Sequence, residues 1–240
     1  MLKSISKIIL FLFLYLISKL GSCQSINLAG IFPTIDHSGK LTDKLNYSLY
    51  YFGAFPIANF EKPNLSKDAY FHLFYSEQAL TYQIKPKISL TGSYVYQRTN
   101  ALYANYTNEN RFYVQTKYKH SIKIFNLSHR LRFDGRFVQN RITNQTPFTH
   151  RIRYQLGIDF AISEKTYFTA YEEAFFNTFK NTEAIYGENW GYAAFGKKIN
   201  EKNKIEAGLL YVTWNIGKKI WFNQYYFQFT WINNLNFSKK

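Results

Sequence analysis

Five arginines occupy alternate positions in two neighbouring stretches of the chain: Arg130, Arg132 and Arg136 in the first, Arg151 and Arg153 in the second. A guanidinium stays charged at any ordinary pH and presents a planar fork of donors, so its chemistry is the paired grip of a carboxylate or another oxyanion. Asp134 and Asp159 share that parity, and Glu173 follows in a third stretch. The eight residues Arg130, Arg132, Asp134, Arg136, Arg151, Arg153, Asp159 and Glu173 therefore form a candidate lumen charge network. Two outcomes are open for it. Salt bridges can fill and stiffen a narrow interior, or the excess of arginine over acid can leave a positive path that selects anions. Small barrels usually fill their interiors with side chains, which favours the first.

Nucleophilic and acid–base arrangements are weaker. Ser128 and His129 are neighbours, so in an extended segment they point to opposite faces and cannot work as a serine–histidine pair. His150 shares parity with Ile152, His120 with Ile122 and His72 with Phe74, which assigns all three to an apolar side or its border. Glu172 and Glu173 are also consecutive, and only a bulge would let both serve one acid–base site. The expectation is Glu173 inward beside Tyr171, as a partner of the arginines, with Glu172 toward lipid head groups. No His/Cys cluster has metal-ligand spacing and no glycine-rich phosphate loop occurs. The sequence thus points to no catalytic residue, no metal and no cofactor.

Extended segments must carry the arginines, because period two is the strand signal. Leu127, His129, Leu131, Phe133, Gly135 and Phe137 alternate with Ser128, Arg130, Arg132, Asp134 and Arg136. Phe148, Ile152, Tyr154, Leu156, Ile158 and Phe160 alternate with Thr149, Arg151, Arg153, Gln155 and Asp159, and Ile88, Leu90, Gly92, Tyr94 and Tyr96 with Ser89, Thr91, Ser93 and Gln97. Further strands are expected at about 45–56, 69–84, 109–124, 165–178, 188–199, 204–215 and 220–233, which makes about ten. Residues 25–36 either pack beside that wall or join another strand to make twelve, since an even number follows if both ends of the chain lie on one side. Short links at Lys85-Pro86-Lys87, Phe125-Asn126, Ser163-Glu164 and Asn200-Glu201-Lys202-Asn203 alternate with longer ones, the rhythm of an outer-membrane barrel. The last strand sets Tyr225, Phe227, Phe229 and Trp231 on one side, with Phe237 close behind.

Composition agrees. The 240 residues include 21 Tyr and 23 Phe, a supply suited to two aromatic girdles. Lys3 and Lys7, the apolar stretch from Ile8 to Ile17 and the patch Gly21-Ser22-Cys23 before Gln24 have the layout of a secretory signal peptide. That core is too short for a spanning helix, which needs about 20 residues. Residues 1–23 are expected as the leader and 24–240 as one outer-membrane barrel domain. Leu20-Gly21-Ser22-Cys23 also fits a lipoprotein box loosely, so lipidation of Cys23 stays open. Loss of Lys3, Lys7 and Lys19 lowers the formal charge from +15 to +12. For an exported chain the anions at hand are outer-membrane lipid and lipopolysaccharide, with a small anion or a surface partner beyond them, and nucleic acid is excluded by compartment.

The segments Asn126-Leu127-Ser128-His129-Arg130-Leu131-Arg132-Phe133, His150-Arg151-Ile152-Arg153-Tyr154, Ala170-Tyr171-Glu172-Glu173-Ala174-Phe175-Phe176-Asn177 and Glu188-Asn189-Trp190-Gly191-Tyr192 resemble the domain of unknown function 2490 family. The resemblance spans most of the exported part, in the family's order, with Asn189-Trp190 where the family carries Asn-Arg. It implies a bacterial outer-membrane barrel and no enzyme class.

The expected fold is all-β: an antiparallel up-and-down transmembrane barrel of about ten strands, twelve being the alternative, preceded by a signal peptide. The expected function is a structural, surface-interaction or accessory role in the outer membrane, without catalysis. A narrow anion-permeable channel is the first rival and a membrane-embedded lipid-modifying enzyme the second. A soluble sandwich or lipocalin-like barrel is the rival fold, since alternation alone does not say which face meets water.

Overall fold

The computed structural model describes residues 25–59, 71–178, 186–215 and 221–235. The expected leader, Cys23 and Phe237 lie outside these residues. Eleven strands follow one another: β1 (Ser25–Lys40), β2 (Leu45–Asn59), β3 (Leu73–Lys85), β4 (Ile88–Thr99), β5 (Thr107–Ile122), β6 (Phe125–Val138), β7 (Phe148–Ala161), β8 (Thr166–Asn177), β9 (Tyr186–Lys198), β10 (Asn203–Asn215) and β11 (Trp221–Asn234). No helix occurs among the described residues, and none is long and apolar enough to cross a membrane, which says nothing about strands.

Each strand pairs with its sequence neighbours, and β1 pairs with β11 to close the barrel. Closure leaves no open edge, so every strand has a ladder on both sides. All neighbouring pairs are antiparallel except β1 and β11, which run parallel from Ser25 opposite Trp221 to Ser38 opposite Asn234. The expectation of ten or twelve antiparallel strands is thereby corrected. Residues 25–36 neither lie beside a complete wall nor bring a twelfth strand; extended to Lys40, they are the strand that closes it. The even count presumed both chain ends at one mouth, and the parallel seam puts the start of β1 and the end of β11 at opposite mouths.

The links 41–44, 86–87, 123–124, 162–165 and 199–202 gather at one mouth, with the end of β11. Links 100–106 and 139–147 lie at the other, together with the start of β1 and the strand ends at Asn59, Leu73, Asn177, Tyr186, Asn215 and Trp221. These are called the short-turn and long-loop mouths. The turn between β5 and β6 is Lys123-Ile124, with Lys123 at φ 54, two residues before the expected Phe125-Asn126. The register row that leaves β1 at Lys40 passes Asn46, Thr81, Thr91, Gln115, Arg132, Arg153, Phe175, Glu188, Trp214 and Phe222 and re-enters β1 at Ile26, fourteen residues away. A shear of that size tilts the strands by about 40–45° from the barrel axis.

Alternation sorts the side chains as the tilt requires. On β6, Arg132 and Asp134 are buried while Leu131 and Phe133 are exposed outward; on β7, Arg151, Arg153 and Gln155 are buried while Ile152, Tyr154 and Leu156 are exposed. The interior divides into two halves. Phe32, Phe52, Tyr75, Val95, Tyr113, Tyr192, Leu210, Val212 and Tyr226 form an apolar cluster weighted toward β1, β2 and β9 to β11. The arginines gather on the half made by β5 to β7, with their carboxylate partners on β3, β5, β6, β8 and β9.

Candidate functional site: the charged interior

Six arginines and five carboxylates interlock across the middle and the long-loop half of the barrel. Arg153 grips Glu173 with a fork, Nε to Oε1 at 2.8 Å and the second branch to Oε2 at 2.9 Å, and Arg130 reaches the same Oε2 at 2.7 Å. Asp134, wholly inaccessible to solvent, accepts from Arg151 Nε at 2.7 Å and lies 3.6 Å from Arg153. Arg151 extends to Glu188 at 3.0 Å. Glu109 holds both Arg111 at 2.7 Å and Arg136, the latter by two bonds of 2.7 Å. Glu77 stands 3.6 Å from Arg132 and also accepts from the hydroxyls of Tyr75 and Tyr113. Gln115 Oε1 takes two further bonds from Arg132, at 2.9 and 2.7 Å.

Aromatic faces complete the packing. The Arg132 guanidinium lies 3.7 Å over the Tyr113 ring, and Phe175 is flanked by Arg153 at 4.2 Å and Arg151 at 4.7 Å. A cation desolvated against a ring is worth up to about 2 kcal/mol. Such contacts and the shared carboxylates offset the several kcal/mol that each ion loses on leaving water.

Seven of the eight expected network residues meet in this belt: Arg130, Arg132, Asp134, Arg136, Arg151, Arg153 and Glu173. Asp159 does not. It faces inward nearer the short-turn mouth, accepts from Thr169 at 2.7 Å, and has no cation within ion-pair distance among the described residues. Sequence reasoning missed Arg111, Glu77, Glu109 and Glu188, which bring the acids almost level with the arginines. The parity of β5 carried the signal, since Glu109, Arg111, Tyr113 and Gln115 alternate with Asn110, Phe112, Val114 and Thr116. Glu77 and Glu188 stand singly among uncharged residues, and only the closed register brings them to the belt.

The remaining candidates separate by face. Ser128 is inward and His129 outward, where its Nδ1 lies 2.8 Å from the Tyr154 hydroxyl and its ring stacks on His120 at 5.3 Å. His150 is outward near Phe133 and Phe148. His72 departs from expectation: it precedes β3, where strand parity no longer holds, and borders the internal cavity. Glu173 is inward and Glu172 outward, yet Glu172 sits halfway along the outer wall between Phe168 and Phe176 rather than at a rim. Among the described residues no group of three or more His, Cys, Asp or Glu is placed to hold a metal ion.

Between the packed side chains a cavity of about 1010 Å³ remains. Its short-turn end is a polar cup lined by Ser38, Ser48, Thr81, Lys117, Lys204 and Glu206 among others. Behind that end the wall is close-packed at Gly157, where a Cβ would stand 2.7 Å from Ser128 Oγ.

No curated protein matches the chain. Among solved structures it is similar to the siderophore receptor PirA of Pseudomonas aeruginosa, with 12% identity, a TM-score of 0.27 and coverage of 75% of this chain. The chain spans 37% of that receptor's length. Residues 37–237, from within β1 to beyond the end of β11, match the family described as a protein of unknown function, DUF2490, and the chain belongs to that family.

Proposed function

We propose that the chain is exported by a cleaved leader and resides in the bacterial outer membrane as a plugged barrel, with a structural, surface-interaction or accessory role. One observation carries the reading: the outer wall is apolar and uncovered. Leu131, Phe112, Val114, Leu209 and Phe227 point away from the barrel with more than half of their surface exposed. In water an apolar surface of this extent would drive association. In lipid it is the ordinary outer face of a spanning barrel.

Outward rings at both ends support the same reading. Near the short-turn mouth are Tyr47, Tyr82, Tyr118, Phe168 and Phe195; near the long-loop mouth are Phe137, Phe148, Phe176, Tyr186 and Trp221. Phe168 and Phe176 lie eight residues apart on β8, about 26 Å along the strand. With the tilt this separates the two girdles by about 20 Å, close to the band height of an outer-membrane barrel. The long loops then face outside and the short turns the periplasm. Lipid and lipopolysaccharide become the immediate partners of the wall, and the reading gives the chain no catalytic step.

An anion channel is the alternative, favoured by the one arginine in excess of the five carboxylates. Recording in planar bilayers tests the two together with heat-modifiable migration and fractionation to the outer membrane. The plugged barrel is expected to migrate as a compact form until boiled and to give no steps. Anion-selective steps lost on replacing Arg132 and Arg153 would transfer the assignment to the channel. An altered lipid profile in cells lacking the protein would restore the enzyme reading.

A further inference from the structure

The cup at the short-turn mouth has a wall that differs from the belt above it. Two inner rows cross β5, β6 and β7: Lys117, Arg130 and Gln155 in one, Lys119, Ser128 and Gly157 in the next. Lys117 and Arg130 are direct cross-strand partners on the same face, and like charges so placed destabilise a ladder. In the belt every arginine has a carboxylate within reach. Neither Lys117 nor Lys119 has one within ion-pair distance among the described residues.

The donors around them are unused as well. Arg130 gives one terminal nitrogen to Glu173, while its Nε is buried without a hydrogen-bond partner. The Ser128 hydroxyl lies over Gly157, and neither it nor the Gln155 amide is engaged by another described residue. Lys117, Lys119, Arg130 and Gln155 all border the cavity. Of the acids of the cup, Asp36 on β1 and Glu206 on β10 belong to the opposite wall, Glu206 already accepting from Tyr167 and Tyr192. Asp159 stands on the same wall one row nearer the mouth, where it accepts from Thr169 and attracts Lys117 without an ion-pair contact. Cross-strand neighbours stand about 5 Å apart and residues two along a strand about 7 Å. That grid has the size of a single oxyanion with its first ring of donors.

We propose that this wall is an anion site, taking the phosphate or carboxylate group of a solute that enters from the short-turn mouth. An oxyanion there screens Lys117 from Arg130 and satisfies Arg130 Nε, Ser128 and Gln155 in one step. Charge-assisted hydrogen bonds to an oxyanion are about twice as strong as neutral ones, so a small ion suffices as a probe. The site depends on the interior alone and would stand whatever surrounds the barrel.

The test uses the full chain purified in a non-ionic detergent, titrated with inorganic phosphate and in parallel with acetate, at constant ionic strength held by chloride. Calorimetry should show saturable binding of phosphate, and the thermal midpoint should rise with it. Saturation by acetate instead would assign the site to carboxylates. Lys117→Met should weaken the binding about tenfold or more by removing a charged donor, while raising the midpoint in the absence of anion by ending the like-charge contact. Ser128→Ala should weaken it by less. Absence of saturable binding with both anions, or equal affinity in Lys117→Met, would overturn the site. Neither result bears on the membrane reading, which fails only if fractionation and heat-modifiable migration fail.

Discussion

Arg153 of β7 and Glu173 of β8 are locked in a two-pronged bond of 2.8 and 2.9 Å, and the same carboxylate holds Arg130 at 2.7 Å. Glu173 is thus the hinge pin of the belt, buried to 2% exposure between two cations. The pair is expensive to assemble and more expensive to break, because a lone buried guanidinium has no way to lose its charge.

Glu173→Ala should therefore destabilise the barrel by about 3–5 kcal/mol, the usual cost of leaving a buried charge unpaired. Replacing Arg153 by Met and Glu173 by Leu together should cost less than that single change, since only the more accessible Arg130, and not Arg153 as well, is then left without its carboxylate. Urea unfolding of the detergent-solubilised protein, read by loss of the fast-migrating form, orders the two variants. A double variant weaker than Glu173→Ala would show that the belt is worth more than its ions' desolvation.

The second seal is aromatic. Phe52 stacks on Phe32 and on Tyr75 with centroids 4.4 Å apart in both cases, and Phe32 lies 5.4 Å from Tyr226. Phe32→Ala with Phe52→Ala should cost about 3–5 kcal/mol for each ring and open a path through the uncharged half. Where the native barrel is silent, the folded double variant should give small conductance steps in planar bilayers. Continued silence would mean that the arginine belt alone closes the lumen.

How much of this was legible follows from where information sits in a strand. Parity is local, so the inward Arg130, Arg132, Arg151 and Arg153 and the outward Leu131 and Ile152 could be read from a few residues each. Closure is not local. β1 carries Gly30, Pro33, Asp36 and Gly39 within 16 residues, a poor strand by propensity, and its partner lies at the far end of the chain. Its antiparallel ladder with β2 is local, but the seam with β11 that closes the barrel is not, and no count of alternating segments reveals a parallel pair. Glu77 and Glu188 were hidden for the same reason: each comes to an arginine across strands distant in sequence.

That seam predicts an unusual placement of the chain ends. β1 starts beside Trp221 at the long-loop mouth, while β11 ends beside Ser38 at the other. An epitope inserted immediately before Ser25 should be reached by antibody in intact cells, together with a label on Thr143→Cys in the 139–147 loop. A label on Glu201→Cys should appear only after permeabilisation. Accessibility of the Ser25 epitope only from the periplasm would mean that β1 does not close the barrel in the parallel sense.

Among the described residues, the outer wall holds one carboxylate in an awkward place. Glu172 is exposed, its carboxylate 3.0 Å from where a Cβ on Gly191 would stand, and it accepts a hydrogen bond from Asn189. From there polar groups continue around the wall, Tyr211 donating to Asn223 at 2.9 Å and Asn223 to Asn27 at 3.1 Å. Four residues separate Glu172 from Phe168 and four from Phe176, so it lies at mid-height of the proposed apolar band. A carboxylate there costs less than the about 2–4 kcal/mol of a basic residue at the midplane, but the cost has the same sign. Glu172→Leu should accordingly stabilise the barrel in lipid by up to about 2 kcal/mol, and Glu172→Lys should destabilise it by about 2–4 kcal/mol. Unfolding in vesicles measures both. A barrel surrounded by water would show the reverse order, because Leu would add apolar surface while Lys would be solvated, and that order would remove the lipid from around these strands.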